Sequence, residues 1–276
     1  MEANDKKFQA NEKRKEGLRL LYDSKDYNSG LACFNEAIKL DPDNALSYCN
    51  RAEAYILIRQ YLQAIADCNK AIALNPEEPK SYRVRAHAYM CTSDPQGLGI
   101  TNNASLAIAD INKFLSMKPL TTNNNVLWHV YFVRAGAYAF LNQPARAVPD
   151  FDKAIEYKST DPLVFVSRAW MLWKLKQYDR MLADCNKAIE MDPKCENAYV
   201  FRAFYYIYKN NPTVDNNSRL DTSQFPLAIA DLNKAIELKP DYIDAYLARS
   251  FLYEKLGNKQ QAQADLARAR ELGYNK

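Results

Sequence analysis

The 276-residue chain is poor in histidine, with two, and in glycine, with seven. Two histidines leave little material for imidazole catalysis or a histidine-rich metal site, and no glycine-rich phosphate loop occurs. No apolar run approaches the ~20 residues that span a bilayer, so membrane insertion is not expected. The opening stretch MEANDKKFQANEKRKEG lacks the apolar core of a secretory signal, so export by that route is not expected either. A net charge of +4 is no surplus of one sign, and no nucleic-acid partner is read from it. The six cysteines include no C-x-x-C pair, which argues against a zinc site and leaves free thiols in a reducing cytosol. The chain is therefore read as cytoplasmic, and the sequons Asn103-Ala104-Ser105 and Asn216-Asn217-Ser218 carry little weight.

What the chain has in quantity is hydrophobic residues (48 %), among them 19 tyrosines, set in a repeating pattern. Between Tyr48 and Pro76, Tyr48, Ala52 and Tyr55 share one helical face, and Ala64, Cys68 and Ala71 share another. Small residues at Ala52, Ala64 and Ala71 let two antiparallel helices approach closely, and Pro76 ends the second. The Ala71 position recurs at Ala37, Phe114, Ala154, Ala188, Ala235 and Ala269, at spacings of 34, 43, 40, 34, 47 and 34. Matching segments precede it, such as AIADCNKAI, AVPDFDKAI and AIADLNKAI.

These helical hairpins resemble tetratricopeptide (TPR) repeats. The resemblance implies an all-α fold, a TPR α-solenoid of seven hairpins stacked in a right-handed superhelix, as one domain over residues 1–276. The repeats are placed at 11–44, 45–78, 79–121, 128–161, 162–195, 196–242 and 243–276. A charged arm, 1–10, extends the first helix, 93–105 and 210–224 are insertions expected to be mobile, and 122–127 is a polar linker. The last helix is unusually polar through Gln260, Gln261, Gln263, Arg268 and Arg270, so it covers its own end of the array. A partner, or self-association through this carboxy-terminal repeat, is the other candidate cover.

Arginine stands at the seventh place of six repeats, Arg51, Arg85, Arg134, Arg168, Arg202 and Arg249, and aspartate at the twenty-third, Asp67, Asp110, Asp150, Asp184, Asp231 and Asp265. The first repeat lacks both and carries Cys33 at the aspartate place. Shared presence and absence predict structural ion pairs within repeats.

Nothing in the pattern points to an active site, a cofactor or a metal. Cys49 and His87 face each other from adjacent first helices as a nucleophile and base would. With no third orienting residue they are read as neighbours in a groove.

The resemblance also implies that the first helices line a concave groove through their second, fifth, sixth, ninth, twelfth and thirteenth places. The amino-terminal half offers Arg14, Lys15, Asn50, Glu53, Lys80, Arg83 and His87, mostly basic. The carboxy-terminal half offers Phe132, Val133, Phe140, Val166, Trp170, Trp173, Val200, Phe201, Phe204, Tyr208, Leu247 and Phe251. Large exposed apolar patches mark binding sites, so the expected function is a non-enzymatic scaffold for a peptide or helix of a partner protein. The carboxylate clamp of heat-shock cochaperones, which holds an acidic chaperone tail, maps onto Arg14, Asn50 and Lys80. It departs at Leu18 and at Val84, beside which stands Arg83. A cochaperone and a non-catalytic regulatory subunit of an enzyme complex are the alternative functions.

Overall fold

The computed structural model describes residues 2–92, 100–118, 123–157, 160–211 and 220–275. Among these residues there are fourteen α-helices and no strand. They fall into two compact units, residues 1–143 and 144–276.

The first unit holds α1 (Glu2–Tyr22), α2 (Tyr27–Leu40), α3 (Ala45–Leu57), α4 (Tyr61–Leu74), α5 (Pro79–Cys91), α6 (Ile100–Ser116) and α7 (Asn124–Phe140). α1 pairs with α2, α3 with α4 and α5 with α6 as antiparallel hairpins, and α7 packs on α5 and α6. The second unit holds α8 (Pro144–Glu156), α9 (Pro162–Lys174), α10 (Tyr178–Met191), α11 (Glu196–Tyr208), α12 (Phe225–Leu238), α13 (Ile243–Lys255) and α14 (Lys259–Glu271). Here α9 pairs with α10, α11 with α12 and α13 with α14, while α8 packs on α9. In each unit first helices of successive hairpins touch, as α3 does α5 and α9 does α11. Second helices are not so paired among the described residues. The first-helix side of each unit is therefore its tighter side.

Alanine makes this spacing feasible. Ala37, Ala71, Ala188, Ala235 and Ala269 are fully buried, as are Ala52, Ala86 and Ala203 on the facing helices. The first repeat solves the same contact differently. Phe34 is fully buried at the place of Cys68, and a Cβ on Gly17 would stand 2.6 Å from its ring, so only glycine fits there. The turns that close α1–α2, α3–α4 and α9–α10 each hold one residue in the left-handed region, Lys25 (φ 55°), Arg59 (φ 61°) and Lys176 (φ 58°), as does Asn142 (φ 53°) after α7. Among the described hairpin turns, the one between α13 and α14 alone uses glycine, Gly257 (φ 81°). Each non-glycine turn residue carries a cost on the order of 1–2 kcal/mol, which the packed helices offset.

Five of the expected ion pairs form within their repeats, each as a two-pronged fork. Arg51, Arg85, Arg168, Arg202 and Arg249 donate through Nε and Nη2 to Asp67, Asp110, Asp184, Asp231 and Asp265, at 2.5–2.8 Å. The aspartates are buried and the arginines half-buried. Arg134 and Asp150 belong to different units, and their pairing stays an expectation.

The sequence reading missed the third prong. Nη1 of each arginine reaches back to the preceding hairpin, where Arg51 donates to Asn35, Arg85 to Asn69, Arg134 to Asn112, Arg202 to Asn186 and Arg249 to Asn233, at 2.6–2.9 Å. Arg168 meets Asp152 instead, at 2.7 Å, and Asp152 also receives Arg180. Tyrosines one turn before or after the arginine lie against its guanidinium, as Tyr48 and Tyr55 do for Arg51 and Tyr82 and Tyr89 for Arg85.

Three boundaries need correction. The polar linker at 122–127 is helix from Asn124 on, because the Asn123 side chain accepts the Val126 N–H and caps α7. The insertion at 93–105 is helix from Ile100 on, as the first turns of α6, and its residues 93–99 lie outside the described residues. The insertion at 210–224 has pinned ends rather than loose ones, and its residues 212–219 lie outside the described residues. Asn211 is 5 % exposed and donates to the Ile207 and Asp221 carbonyls, while its Oδ1 accepts the Asp221 N–H at 2.7 Å. The expected charged arm does continue the first helix, and the last helix presents Gln260, Gln261, Gln263, Arg268 and Arg270 outward.

Two outcomes follow for chemical denaturation. Asp67→Ala leaves Arg51 with only a neutral amide and costs about 3–5 kcal/mol, whereas Asp184→Ala costs less because Asp152 still faces Arg168. Equal losses at the two sites would contradict this. Asn211→Ala strips three hydrogen bonds from a buried knot and costs about 1–3 kcal/mol, and an unchanged unfolding midpoint would show the knot to be idle.

Candidate peptide-binding faces

In the first unit the groove places converge on one buried acid. The Glu53 side chain is 11 % exposed and lies 2.7 Å from Lys80 Nζ and 2.8 Å from Arg83 Nη2. Tyr22, at the end of α1, donates its hydroxyl to Glu53 at 2.9 Å. Burial alone would raise the carboxyl, but Lys80 and Arg83 outweigh it and hold Glu53 below its ordinary range. Lys80 also donates to Asn50 Oδ1 at 2.6 Å, and Asn50 is buried, with its Nδ2 unpartnered. Arg14 is turned along its own helix to Asn11. The three clamp-like residues therefore do not meet as a set, and the basic groove read from the sequence contains its own counter-ion.

Beside Glu53 a cavity of about 250 Å³ opens on the first-helix side. Ile56, Leu57, Val84, Val126 and Trp128 form its apolar wall, while Arg83, His87, Asn125 and His129 line the rest with Tyr22 and Glu53. The rings of His87 and His129 meet edge to face at 4.6 Å, and Trp128 lies 5.6 Å from His129. Burial, reinforced by His87 and Arg83, pushes His129 down to about 3, and burial with Arg83 lowers His87 as well. Both imidazoles are neutral near pH 7. A wider cleft of about 640 Å³ runs along the outside of α1. Its lysines and glutamates pair with each other along the helix, as Lys13 does with Glu16, so it offers few free charges.

Cys49 and His87 are not joined as nucleophile and base. His87 is engaged with His129, and burial pushes the fully buried Cys49 thiol up to about 12. A thiolate is disfavoured there. The described residues include no group of three metal-ligating side chains, and no helix among them is long and apolar enough to cross a membrane.

In the second unit the groove places form an aromatic surface. Trp173 packs 5.7 Å from Phe204 and 6.0 Å from Tyr208, and Phe201 packs 6.0 Å from Phe204. All four rings are half-buried. Trp170 stands 45 % exposed with the Lys174 ammonium over its ring, and Phe251 is half-buried under Lys255. Val166 and Val200, read as groove residues, belong to the core, as does Val133 in the first unit. Their places turn inward because the helices rotate them onto the facing hairpin. Phe140 is exposed and Phe132 half-buried, both in the first unit, and Phe132 lies 6.1 Å from Trp128. The cavity at Glu53 was not read from the sequence, because α7 begins before the repeat does and brings Val126, Trp128 and His129 across to α3 and α5.

Family models described as TPR repeat match residues 19–57 and 217–257, and models described as tetratricopeptide repeat match 45–78, 129–161, 164–195 and 243–272. No curated protein matches the sequence. Among solved structures, the C-terminal part of a TPR repeat-containing protein from Cytophaga hutchinsonii aligns with a TM-score of 0.61 at 19 % identity, covering 95 % of this chain and 96 % of that one. A tetratricopeptide repeat protein from Parabacteroides merdae aligns at 0.59 and 19 %, covering 97 % and 94 %. YrrB, described as a TPR protein with an unusual peptide-binding site, aligns at 0.58 and 21 %, covering 77 % and 95 %.

The buried histidines make stability decrease as the pH is lowered. Their folded affinity for protons lies below the ordinary value of 6.5, so the unfolded chain binds more protons and stability is complete only above about that pH. It is then lost progressively toward about 3 for His129. His129→Phe should therefore narrow the drop in melting temperature between pH 7 and pH 5, and an unchanged drop would contradict the assignment.

Proposed function

The chain belongs to the tetratricopeptide repeat family, whose repeats commonly serve protein–protein interaction, and from that premise we propose a non-enzymatic scaffold. Its first-helix faces bind an extended or helical segment of a partner protein. The observation that carries this reading is the aromatic surface of the second unit, where Trp173, Phe204, Tyr208 and Phe201 stack beside the exposed Trp170. Large rings lose little conformational freedom on binding and dominate the energetics of protein interfaces. Phe251 extends the same set of groove places. The description of YrrB as having a peptide-binding site is consistent with this use of the fold.

An acidic-tail cochaperone is the less supported alternative. Lys80 is committed to Glu53 and Asn50, and Leu18 and Val84 offer no hydrogen bond where that clamp has them. A regulatory subunit would use the same surfaces toward a different partner. The buried, protonated Cys49 and the closed pairing of the arginines favour a scaffold over an enzyme.

The test begins with peptides selected from a displayed library on the full chain. Calorimetry at low and high salt then compares variants with the parent. Trp170→Ala should weaken the best peptide by about 2 kcal/mol or more at both salt concentrations, as hot-spot aromatics do. Lys80→Ala should act mainly on salt dependence. Binding abolished by Lys80→Ala and untouched by Trp170→Ala would replace this reading with an acidic-tail clamp.

A further inference from the structure

The cavity beside Glu53 contains more hydrogen-bonding capacity than the protein uses. A guanidinium has five donors, and Arg83 commits one of them, to Glu53 Oε1 at 2.8 Å. Its other donors have no partner among the described residues. Neither do the ring nitrogens of His87 and His129, whose rings meet each other, with Trp128 against His129. Arg83, His87 and His129 are half-buried and these nitrogens are not sealed from solvent, so donors grouped beside an apolar wall can exchange water for a ligand. The local charge decides which. Glu53 balances one of the two cations, Lys80 and Arg83, so one positive charge is left over. About 250 Å³ holds a side chain or two, well short of a cofactor.

We propose that this cavity is a carboxylate socket that takes an acidic side chain lying next to an aliphatic one in an extended peptide. Arg83 receives the carboxylate together with an imidazole N–H of His87 and of His129. Ile56, Val84 and Val126 take the aliphatic neighbour. The inference rests on the reading of the first helices as a peptide-binding face, and it assigns that face of the first unit a ligand chemistry of its own. It differs from the two-carboxylate clamp, since it uses neither Arg14 nor Asn50 and leaves Lys80 on Glu53.

Proton linkage follows from the geometry. The charged and titratable groups that face the imidazoles are Tyr22 from α1, Glu53 from α3 and Arg83 from α5. Burial and Arg83 keep both histidines neutral in the free protein. A bound carboxylate adds a negative charge beside them and favours their protonated forms, so binding takes up protons and tightens as pH falls toward 6.

The two histidines are the only ones in the chain, which makes the experiment direct. Their ring Hε1 resonances are followed by NMR while the full chain is titrated with acetyl-Ala-Leu-Asp-Leu amide or its Asp→Asn counterpart. The Asp peptide should shift both signals, raise their titration midpoints and bind several-fold more tightly at pH 6.0 than at pH 7.5. The Asn peptide should do none of these. Arg83→Gln should weaken the Asp peptide by about tenfold, the equivalent of one charge-assisted hydrogen bond. Arg83→Lys, which keeps the charge near Glu53, should bind less tightly than the parent yet still prefer Asp over Asn. Trp170→Ala should change nothing here. Absence of histidine shifts, equal shifts with both peptides, or full affinity in Arg83→Gln would overturn the socket. Each would leave Trp170-dependent binding in the second unit standing or falling on its own measurement.

Discussion

The arrangement of each unit depends on an arginine that has no second place to go. Its guanidinium is forked onto an aspartate of its own hairpin, tied by the remaining nitrogen to the hairpin before, and laid against tyrosine rings. Burying such a charge is costly unless every donor is matched. Here the matching groups come from two different second helices, so satisfying the charge also fixes how one hairpin sits on the last. Lysine, a point charge without a planar fork, does not offer that geometry. Where the pattern breaks, other contacts replace it. The first repeat exchanges the ion pair for Phe34 under Gly17, and Asp152 in place of asparagine gives Arg168 a second carboxylate.

Because the arginines face the second helices, the opposite faces of the first helices are left to vary. The two units use that freedom differently. In the first, Glu53 draws Lys80, Arg83 and Tyr22 around itself and leaves a cavity with unused donors. In the second, rings from α9 and α11 stack into an apolar surface with lysines at its edge. One chain thereby carries a polar, proton-sensitive face and an aromatic one on the same backbone plan.

The hairpins were legible in the sequence because alanines and tyrosines recur at a fixed period, and that period is imposed by backbone contact. The arginine–aspartate pairs were legible because they appear and vanish together. The asparagine at the third prong recurs just as regularly, from Asn35 to Asn233, yet an amide carries no charge to suggest a partner. The groove charges were the hardest to read. Sequence places Lys80, Arg83 and Glu53 on one face but does not say that the acid neutralises the bases, since that depends on side-chain reach between α3 and α5. Likewise, the start of α7 at Asn124 is set by the Asn123 cap, and the contact of His129 with His87 depends on packing between α7 and α5 that no single sequence position announces.

If one arginine couples two hairpins, weakening its fork must uncouple them while leaving each hairpin formed. Native-state hydrogen exchange on Arg202→Lys tests this, since lysine keeps a positive charge near Asp231 but cannot also hold Asn186. The account predicts that amides of α10 and α11 open together in the parent and separate in the variant into two groups with different opening free energies. Unchanged, common protection of both helices in the lysine variant would contradict it.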